Sequence, residues 1–578
     1  MAKTDYSSWD RDQLLAEVNK LASRKKYGLV WEEKKENVVE RCQKELPVLE
    51  EVGEKAIFTD PTLSTSLMIE GDNYHSLSVL NYTHKEKIDV IYIDPPYNTG
   101  NKDFIYNDGY VDKEDGFRHS KWLSFIEKRL RLSKSLLKRD GIIFISINDI
   151  EQANLKILCD EIFGENNFIA QIPRVTKKAG KSTIGVAKNH DYVISYAKDV
   201  SLVNLTNPPH QDKEYKYKDE HFLERGPYKL NQTLDYDTLG YVNSLDYLIE
   251  FEGNSYYPGK VSEENFLIRK SENPKDGFRW RWSPKKVAFG IQNDWLQKSQ
   301  KRGDRLYTKT YLNAQISKNK QGIYYIEYIN RSSPLLSLAL VDNKYSNDNA
   351  KKELERILGK GKFDYPKPTS LIQTLLTIVN SKELTILDFF AGSGTTGQAV
   401  LELNQIDKGS RKFILCTNNG DEKSEHGIAV DICYPRMKKV IKGYKNQKGE
   451  KVEGLGGNLK YFKTNFISKE KVSDDTRRNL VKRSTEMICV REGIYEKVAD
   501  NVNYKIFSDK KKSVGILFSL KKIDEFKAKI EKLGLPVNMY IFSLTSDTYS
   551  EDFSDLTVRY SIVPIPESIL DVYRKLFK

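Results

Sequence analysis

The chain reads as an α/β protein organised on a doubly wound, largely parallel sheet, and three observations carry that reading. Short runs of β-favouring apolar residues recur at Ser66–Ile69, Val90–Ile93, Gly141–Ile147, Thr385–Leu387 and Lys412–Cys416. Between them lie stretches with apolar residues three or four positions apart, the spacing of helices that cross over between parallel strands. Two of the runs end abruptly, one in Asp94-Pro95-Pro96-Tyr97 and one in Asp388-Phe389-Phe390-Ala391-Gly392-Ser393-Gly394-Thr395-Thr396. Loops at the carboxyl ends of strands are where open α/β sheets hold their ligands.

At 578 residues the chain is too long for one core and is expected to hold about two or three domains. There is no apolar run long enough to cross a bilayer and no signal-peptide pattern over Met1–Lys20, which points to a cytoplasmic protein without a membrane. Five scattered cysteines without a CxxC pair suit reduced thiols, and seven histidines without ligand spacing suit no metal. A net charge of +12 favours a polyanion partner, since neutralised phosphates release counterions.

Met1 to about Ile57 is charged, with helical spacing in Leu14, Leu15, Val18 and Leu21 and again in Val38, Val39, Cys42 and Leu46. Packed helices and a solvated arm both fit. Ser66–Asn73, a helix through Leu77–Leu80 and the Val90–Ile93 strand make a βαβ unit, whose handedness places Asp72 and Asp94 on one sheet edge. Asp72 or Asn73 suits the adenine end of a nucleotide-like cofactor, or equally a helix cap. Pro95 and Pro96 donate no backbone hydrogen bond, so the strand stops there and the loop is stiff. A carboxylate, a proline carbonyl and the Tyr97 ring together suit an extruded base with an exocyclic amine, although a strand-ending proline turn is the plainer alternative.

Asn98–Gly116 reads as a loop beside this site. Trp122–Leu137 reads as an amphipathic helix with Lys and Arg on its outer face. The Gly141–Ile147 strand and a helix through Leu155, Leu158 and Ile162 follow. From about Asn166 to Asn343 the alternation breaks and aromatics interleave with basic residues, as in Arg225-Gly226-Pro227-Tyr228-Lys229 and Arg279-Trp280-Arg281-Trp282. Cations for phosphates with planar groups for bases suit DNA, and a β-rich accessory domain with an ordinary aromatic core suits the same residues.

The α/β pattern returns with Tyr365-Pro366-Lys367-Pro368 and a helix over Leu371–Val379. In the glycine loop that follows, Gly392 and Gly394 allow close backbone approach, and the amides at the helix start near Thr395 favour a negative group. The spacing is not that of an ATPase phosphate loop, and no lysine follows it. A ribose-binding acid is expected after the Lys412–Cys416 strand, where Asn418, Asn419, Asp421 and Glu422 all remain candidates. Arg436–Tyr444 reads as a basic helix, and the region past Gly456 as a small α+β domain.

Asp94-Pro95-Pro96-Tyr97 resembles the catalytic motif of amino-methyltransferases that modify adenine N6 in DNA, and Asp388–Thr396 resembles their S-adenosylmethionine loop. The order, base loop first and cofactor loop after a long insert, resembles the beta group. The insert, the Tyr-Pro-Lys-Pro element and the C-terminal region together look like the modification (Mod) subunit of a type III restriction–modification system. The resemblance implies a Rossmann-like methyltransferase sheet with permuted motif order, an inserted target recognition domain and a small α+β C-terminal domain. Its boundaries would be a helical segment 1–57, a catalytic half 58–165, the recognition domain 166–343, a cofactor half 344–461 and the C-terminal domain 462–578.

It further implies that Asp94 and the Pro95 carbonyl hold the adenine amine, with Pro96 in the same turn, and that Tyr97 stacks on the base. Phe390, Ala391, Gly392, Ser393, Gly394, Thr395 and Thr396 would form the S-adenosylmethionine loop, with Asp388 at the amino end of the cofactor. Lys367 and Pro368 would line its methionine end, and Asp72 and Asn73 its adenine. Arg225, Tyr228, Lys229, Arg279, Trp280, Arg281 and Trp282 become DNA-binding candidates. The implied partners are double-stranded DNA, a second copy of the chain and a helicase–nuclease restriction subunit. Cytosine-N4 methylation and a DNA-binding subunit without turnover are the competing readings.

Overall fold

The computed structural model describes residues 9–22, 29–101, 103–107, 109–178, 185–207, 215–237, 240–299, 305–329, 334–419, 427–446, 448–468, 474–543, 547 and 549–577. Two compact units emerge, Met1–Leu205 with Leu336–Lys578, and Thr206–Leu335. Among the described residues no helix is long and apolar enough to cross a membrane.

The first unit is organised on nine strands: β1 (Glu45–Glu51), β2 (Thr65–Glu70), β3 (Ile88–Ile93), β4 (Leu137–Ile147), β5 (Phe168–Val175), β6 (His190–Ala197), β7 (Thr385–Asp388), β8 (Lys412–Thr417) and β9 (Asn458–Ser468). Their order across the sheet is β1-β9-β2-β8-β7-β3-β4-β6-β5. The run from β9 to β4 is parallel, while β1, β6 and β5 add antiparallel edges. The central strands are buried almost along their whole length, as their continuous apolar runs require. β3 and β7 are neighbours, with Val90 opposite Ile386 and Ile91 opposite Leu387. Their two loops therefore open side by side.

Three expectations need correction. The segment 1–57 is not wholly helical. Its second helix, Asn37–Lys44, ends before Leu46, and β1 follows, pairing with β9. Leu46, Val48 and Leu49 are buried, so tertiary pairing overrides a spacing that also fits a helix. The break at 166 is also misplaced: β5 and β6 complete the main sheet, and the separate unit starts at Thr206 and ends at Leu335. Finally, residues 462–578 do not begin a separate unit at 462, because β9 runs through that position. This region has its own five-stranded sheet, yet Val514, Ile516, Tyr540, Ile565, Ile569 and Tyr573 share one buried core with Ile69, Ile91 and Ile93.

Thr206–Leu335 carries a three-stranded sheet (Leu296–Ser299, Arg305–Tyr311, Tyr228–Thr233) and a hairpin pairing Ala314–Lys318 with Tyr324–Tyr328. Two small cores hold it together, one around Leu234, Trp280 and Leu306, the other around Tyr228, Trp295 and Tyr311.

Candidate active site

A cleft of about 1530 Å³ opens at the carboxyl edge of the parallel sheet, and every group lining it belongs to the first unit. Asp94 to Tyr97 form one wall; Asp72, Asn73, Lys367, Phe390 and Gly392 also line it. The structure thus gathers the Asp94–Tyr97 loop and part of the expected cofactor set around one space, as the adjacency of β3 and β7 requires.

Asp94 is held asymmetrically. Its Oδ2 accepts a hydrogen bond from Lys367 Nζ at 2.6 Å, whereas Oδ1 is buried and has no hydrogen-bond partner among the described residues. An unsatisfied buried acceptor costs free energy and marks a place where a donor belongs. Trp122 Nε1 donates to the Pro96 carbonyl at 2.7 Å and pins the turn. The Lys367 ammonium lies 5.0 Å from the centre of the Tyr97 ring, and the Tyr97 hydroxyl donates to Asp191 at 3.4 Å. Burial, then Asp94 and Asp191, hold the Tyr97 phenol well above its ordinary range, so it stays protonated. Behind it, Asn98 is fully buried in a left-handed conformation (φ 57°) and donates to Glu151 at 2.5 Å, which also accepts from His119 at 2.7 Å.

The glycine loop is shaped from within. Asp388 accepts from Thr396 Oγ1 at 2.5 Å and from the Phe390 amide at 3.0 Å. Burial pushes its carboxyl up to about 7; the two hydrogen bonds pull the other way, and nearby Asp94 adds to the rise. Gly394 caps the Thr395–Asp407 helix at φ 81°, where a Cβ would sit 3.0 Å from Cys433 Sγ. Arg436 lies fully buried beneath the loop, donating to Ser393 Oγ at 3.0 Å and Thr395 Oγ1 at 2.9 Å. Thr395 Oγ1 in turn donates to the Lys367 carbonyl at 3.0 Å. Asp388, Ala391, Ser393, Gly394, Thr395, Thr396 and Pro368 do not line the cleft; they form the frame behind Phe390 and Gly392. The basic helix expected over Arg436–Tyr444 runs Tyr434–Lys442 with Arg436 buried, and the basic outer face expected of the Trp122–Leu137 helix is corrected at Arg129, which is also fully buried.

Arg129 exposes a wall that sequence reasoning missed. It pairs with Glu36 at 2.7 Å, reaches Asp72 at 3.4 Å and donates to Asn73. Glu36, Asn37 and Val38 line the cleft, so the N-terminal segment is part of the site. Asp72 performs the capping role, accepting from the Tyr74 amide at 2.7 Å, while also facing the cleft. Of the ribose candidates, Asn418 lines the cleft and Asn419 donates to Glu70 at 2.8 Å; Asp421 and Glu422 lie outside the described residues.

The DNA-binding candidates divide. Arg225, Tyr228 and Trp280 are buried in the cores of the second unit, which corrects their reading as surface groups. Arg225 donates to the Asn293 carbonyl at 2.7 Å, Tyr228 to Gln297 at 2.9 Å and Trp280 to the Tyr247 carbonyl at 2.6 Å. A small unit spends its large aromatics on its own core. Trp282 packs half-buried against both cores. Lys229 and Arg279 are half-exposed and Arg281 is exposed, its guanidinium 4.1 Å from the centre of the Tyr236 ring. Among the described residues one trio, Glu220, His221 and Asp294, brings potential ligand atoms within 4.8 Å of one another; Asp294 is already paired with Lys309 at 2.5 Å.

A Rossmann-like sheet with an acid–proline–tyrosine loop beside a glycine loop defines a methyltransferase-type domain. The chain belongs to the N6/N4 DNA methylase family, whose model (DNA methylase) matches residues 88–426. It is 33% identical over 410 residues to the type II methyltransferase M.KpnI of Klebsiella pneumoniae, covering 68% of this chain and 91% of that one. It is 32% identical over 414 residues to the Mod subunit of the type III restriction–modification enzyme EcoPI of Escherichia phage P1, covering 66% and 61%. Over 381 residues it is 32% identical to the StyLTI Mod subunit of Salmonella typhimurium, covering 61% and 52%. The chain therefore spans less than two thirds of the length of these two type III relatives.

Proposed function

We propose that the chain transfers a methyl group from S-adenosylmethionine to N6 of an adenine extruded from duplex DNA, as the modification subunit of a type III restriction–modification system. The observation that carries this reading is Asp94: one carboxylate oxygen is tied to Lys367, and the other is buried and unpartnered at the cleft beside an aromatic ring. Cofactor and base both fit. The cleft exceeds the few hundred Å³ of a single ligand pocket, and its lining offers acids, an amide, the Phe390 ring and the bare backbone of Gly392.

S-adenosylmethionine, when bound, supplies a methyl group activated by its sulfonium. Asp94 Oδ1 accepts one hydrogen of the adenine amine. The Pro95 carbonyl, which the resemblance makes the loop's second acceptor, takes the other hydrogen, and the Trp122 indole steadies the turn through the neighbouring Pro96 carbonyl. Two acceptors turn the nitrogen lone pair out of conjugation and favour the positive charge that develops on nitrogen. Lys367 fixes the carboxylate rotamer, so that little orientation is lost on reaching the transition state. Tyr97 stacks on the extruded base, recovering about 1–3 kcal/mol of the stacking that flipping removes. The exposed Arg281 and half-exposed Lys229 and Arg279 supply phosphate contacts. The reading also includes a second copy of the chain and a separate restriction subunit as partners; the names of the type III relatives support the latter.

Strand-resolved sequencing of unmethylated bacterial DNA treated with the protein and S-adenosylmethionine tests the assignment. N6-methyladenine in one short motif on one strand is expected. Methylation of both strands of a palindrome would remove the type III part, and N4-methylcytosine would replace the target base.

A further inference from the structure

The strands β5 and β6 carry no recognised motif, yet they place a buried charged pair behind the base-binding tyrosine. Arg174 and Asp191 stand opposite each other in the strand register. Arg174 is fully buried and Asp191 is 2% exposed. The guanidinium donates through Nε to Asp191 Oδ1 at 2.7 Å and through Nη2 to Oδ2. It also donates to the Tyr345 carbonyl at 2.6 Å and to Asn347 Oδ1 at 3.0 Å, where the chain re-enters the cofactor half. The Asn347 amide donates in turn to the Thr176 carbonyl at 2.9 Å, at the end of β5.

Burying two charges rarely adds net stability, because desolvation offsets their attraction. A fully partnered buried network does, however, fix geometry. Its free face is turned to the site: Asp191 lines the cleft, and its Oδ2 receives the Tyr97 hydroxyl at 3.4 Å. A stacking ring on a loop needs its tilt set before the base arrives, and a charged acceptor on a rigid strand pair supplies that constraint.

We infer that Asp191, held by Arg174, is a positioning residue for methyl transfer, orienting the Tyr97 ring through its hydroxyl. The inference rests on the proposed stacking role of Tyr97. On this inference Asp191 acts through the tyrosine, whose hydroxyl it receives.

The test compares Tyr97→Phe, Tyr97→Ala, Asp191→Asn and the Tyr97→Phe/Asp191→Asn double variant of the full chain. Labelled S-adenosylmethionine and unmethylated genomic DNA are the probes, with kcat, cofactor KM and melting temperature as readouts. Tyr97→Phe keeps the ring and the buried pair, so its fold is intact. It is expected to lower kcat about tenfold, the weight of one hydrogen bond to a charged acceptor, with cofactor KM within about twofold. Asp191→Asn is expected to lower kcat at least as far, and the double variant to match it within about twofold, because both changes break one link. Fully additive losses in kcat, or a Tyr97→Phe variant at the wild-type rate, would overturn the inference. If Asp191→Asn does not fold, Tyr97→Phe decides alone. Tyr97→Ala separates the two levels: a large loss there beside an unaffected Tyr97→Phe leaves the stacking role standing and removes only the role of Asp191. An unaffected Tyr97→Ala removes both.

Discussion

Replacing Lys367 with Met separates two roles for this residue that the sequence and the geometry assign differently. By resemblance Lys367 belongs at the methionine end of the cofactor; in the structure its ammonium is 2.6 Å from Asp94. Its side chain is 8% exposed and that of Asp94 24%. Attraction between unit charges at that separation is about 6 kcal/mol at an effective dielectric of about 20. Desolvation of the ammonium and water around Asp94 offset most of this, leaving a net of about 1–3 kcal/mol. Lys367→Met keeps an unbranched side chain one atom shorter and removes the charge, so Asp94 loses its anchor and samples other rotamers. The expected result is a kcat lower by about 10- to 100-fold, the rate equivalent of that energy, with cofactor affinity changed by no more than about threefold. Isothermal calorimetry with S-adenosylmethionine and single-turnover methyl transfer measure the two quantities on one preparation. Unchanged kcat with strongly weakened cofactor binding would refute the reasoning and return Lys367 to the methionine end.

Asp388→Asn mimics the protonated carboxyl that burial favours. Because the folded-state value is raised to about 7 from an ordinary 3.8, the native state of the wild type keeps a proton that the unfolded chain releases. Stability from this group is present in full below about pH 4 and is lost as pH rises through 7, at no more than about 1.4 kcal/mol per pH unit. Urea unfolding at pH 5 and pH 7 is therefore expected to show the variant gaining on the wild type at the higher pH; parallel curves would contradict this. In the second unit, Arg281→Ala is expected to weaken DNA binding and to flatten its salt dependence by about one unit of slope. Arg225→Ala is expected instead to destabilise that unit by about 3 kcal/mol, since it empties a buried cation site over Trp295 and Tyr311. Electrophoretic binding across a salt series and thermal melting read these two effects, and a purely binding defect in Arg225→Ala would contradict its core placement.

The parallel core of the sheet and both site loops were legible because their signals are local. An apolar run that stops at Asp94-Pro95-Pro96 or at Gly392-Ser393-Gly394 marks a strand end without knowledge of any partner. β1 was not legible, because Leu46-Pro47-Val48-Leu49 follows a short helix and its pairing partner lies more than 400 residues away at β9. β5 and β6 were absorbed into the insert because antiparallel edge strands lack the alternation with helices that marks the rest of the sheet. The buried arginines form the deepest gap. The partners of Arg129, Arg174 and Arg436 are Glu36, Asp191 and Glu353, which come from other elements and cannot be paired with them from sequence. Charge alone therefore reads as surface. The same ambiguity misplaced Arg225 and Trp280, since interleaved basic and aromatic residues describe a nucleic-acid surface and a small cation–aromatic core equally well.

The most direct test of the central claim is methyl transfer from labelled S-adenosylmethionine to unmethylated genomic DNA, followed by digestion to nucleosides, with wild-type protein beside Asp94→Ala. The account predicts label in N6-methyl-2′-deoxyadenosine for the wild type. For the variant it predicts a loss of about a hundred- to a thousandfold, the scale of removing one transition-state hydrogen-bonding group, with cofactor binding within a few fold of wild type. Transfer by Asp94→Ala at a comparable rate, or equal loss of transfer and cofactor binding, would contradict the assignment of the unpartnered Asp94 oxygen to the target amine.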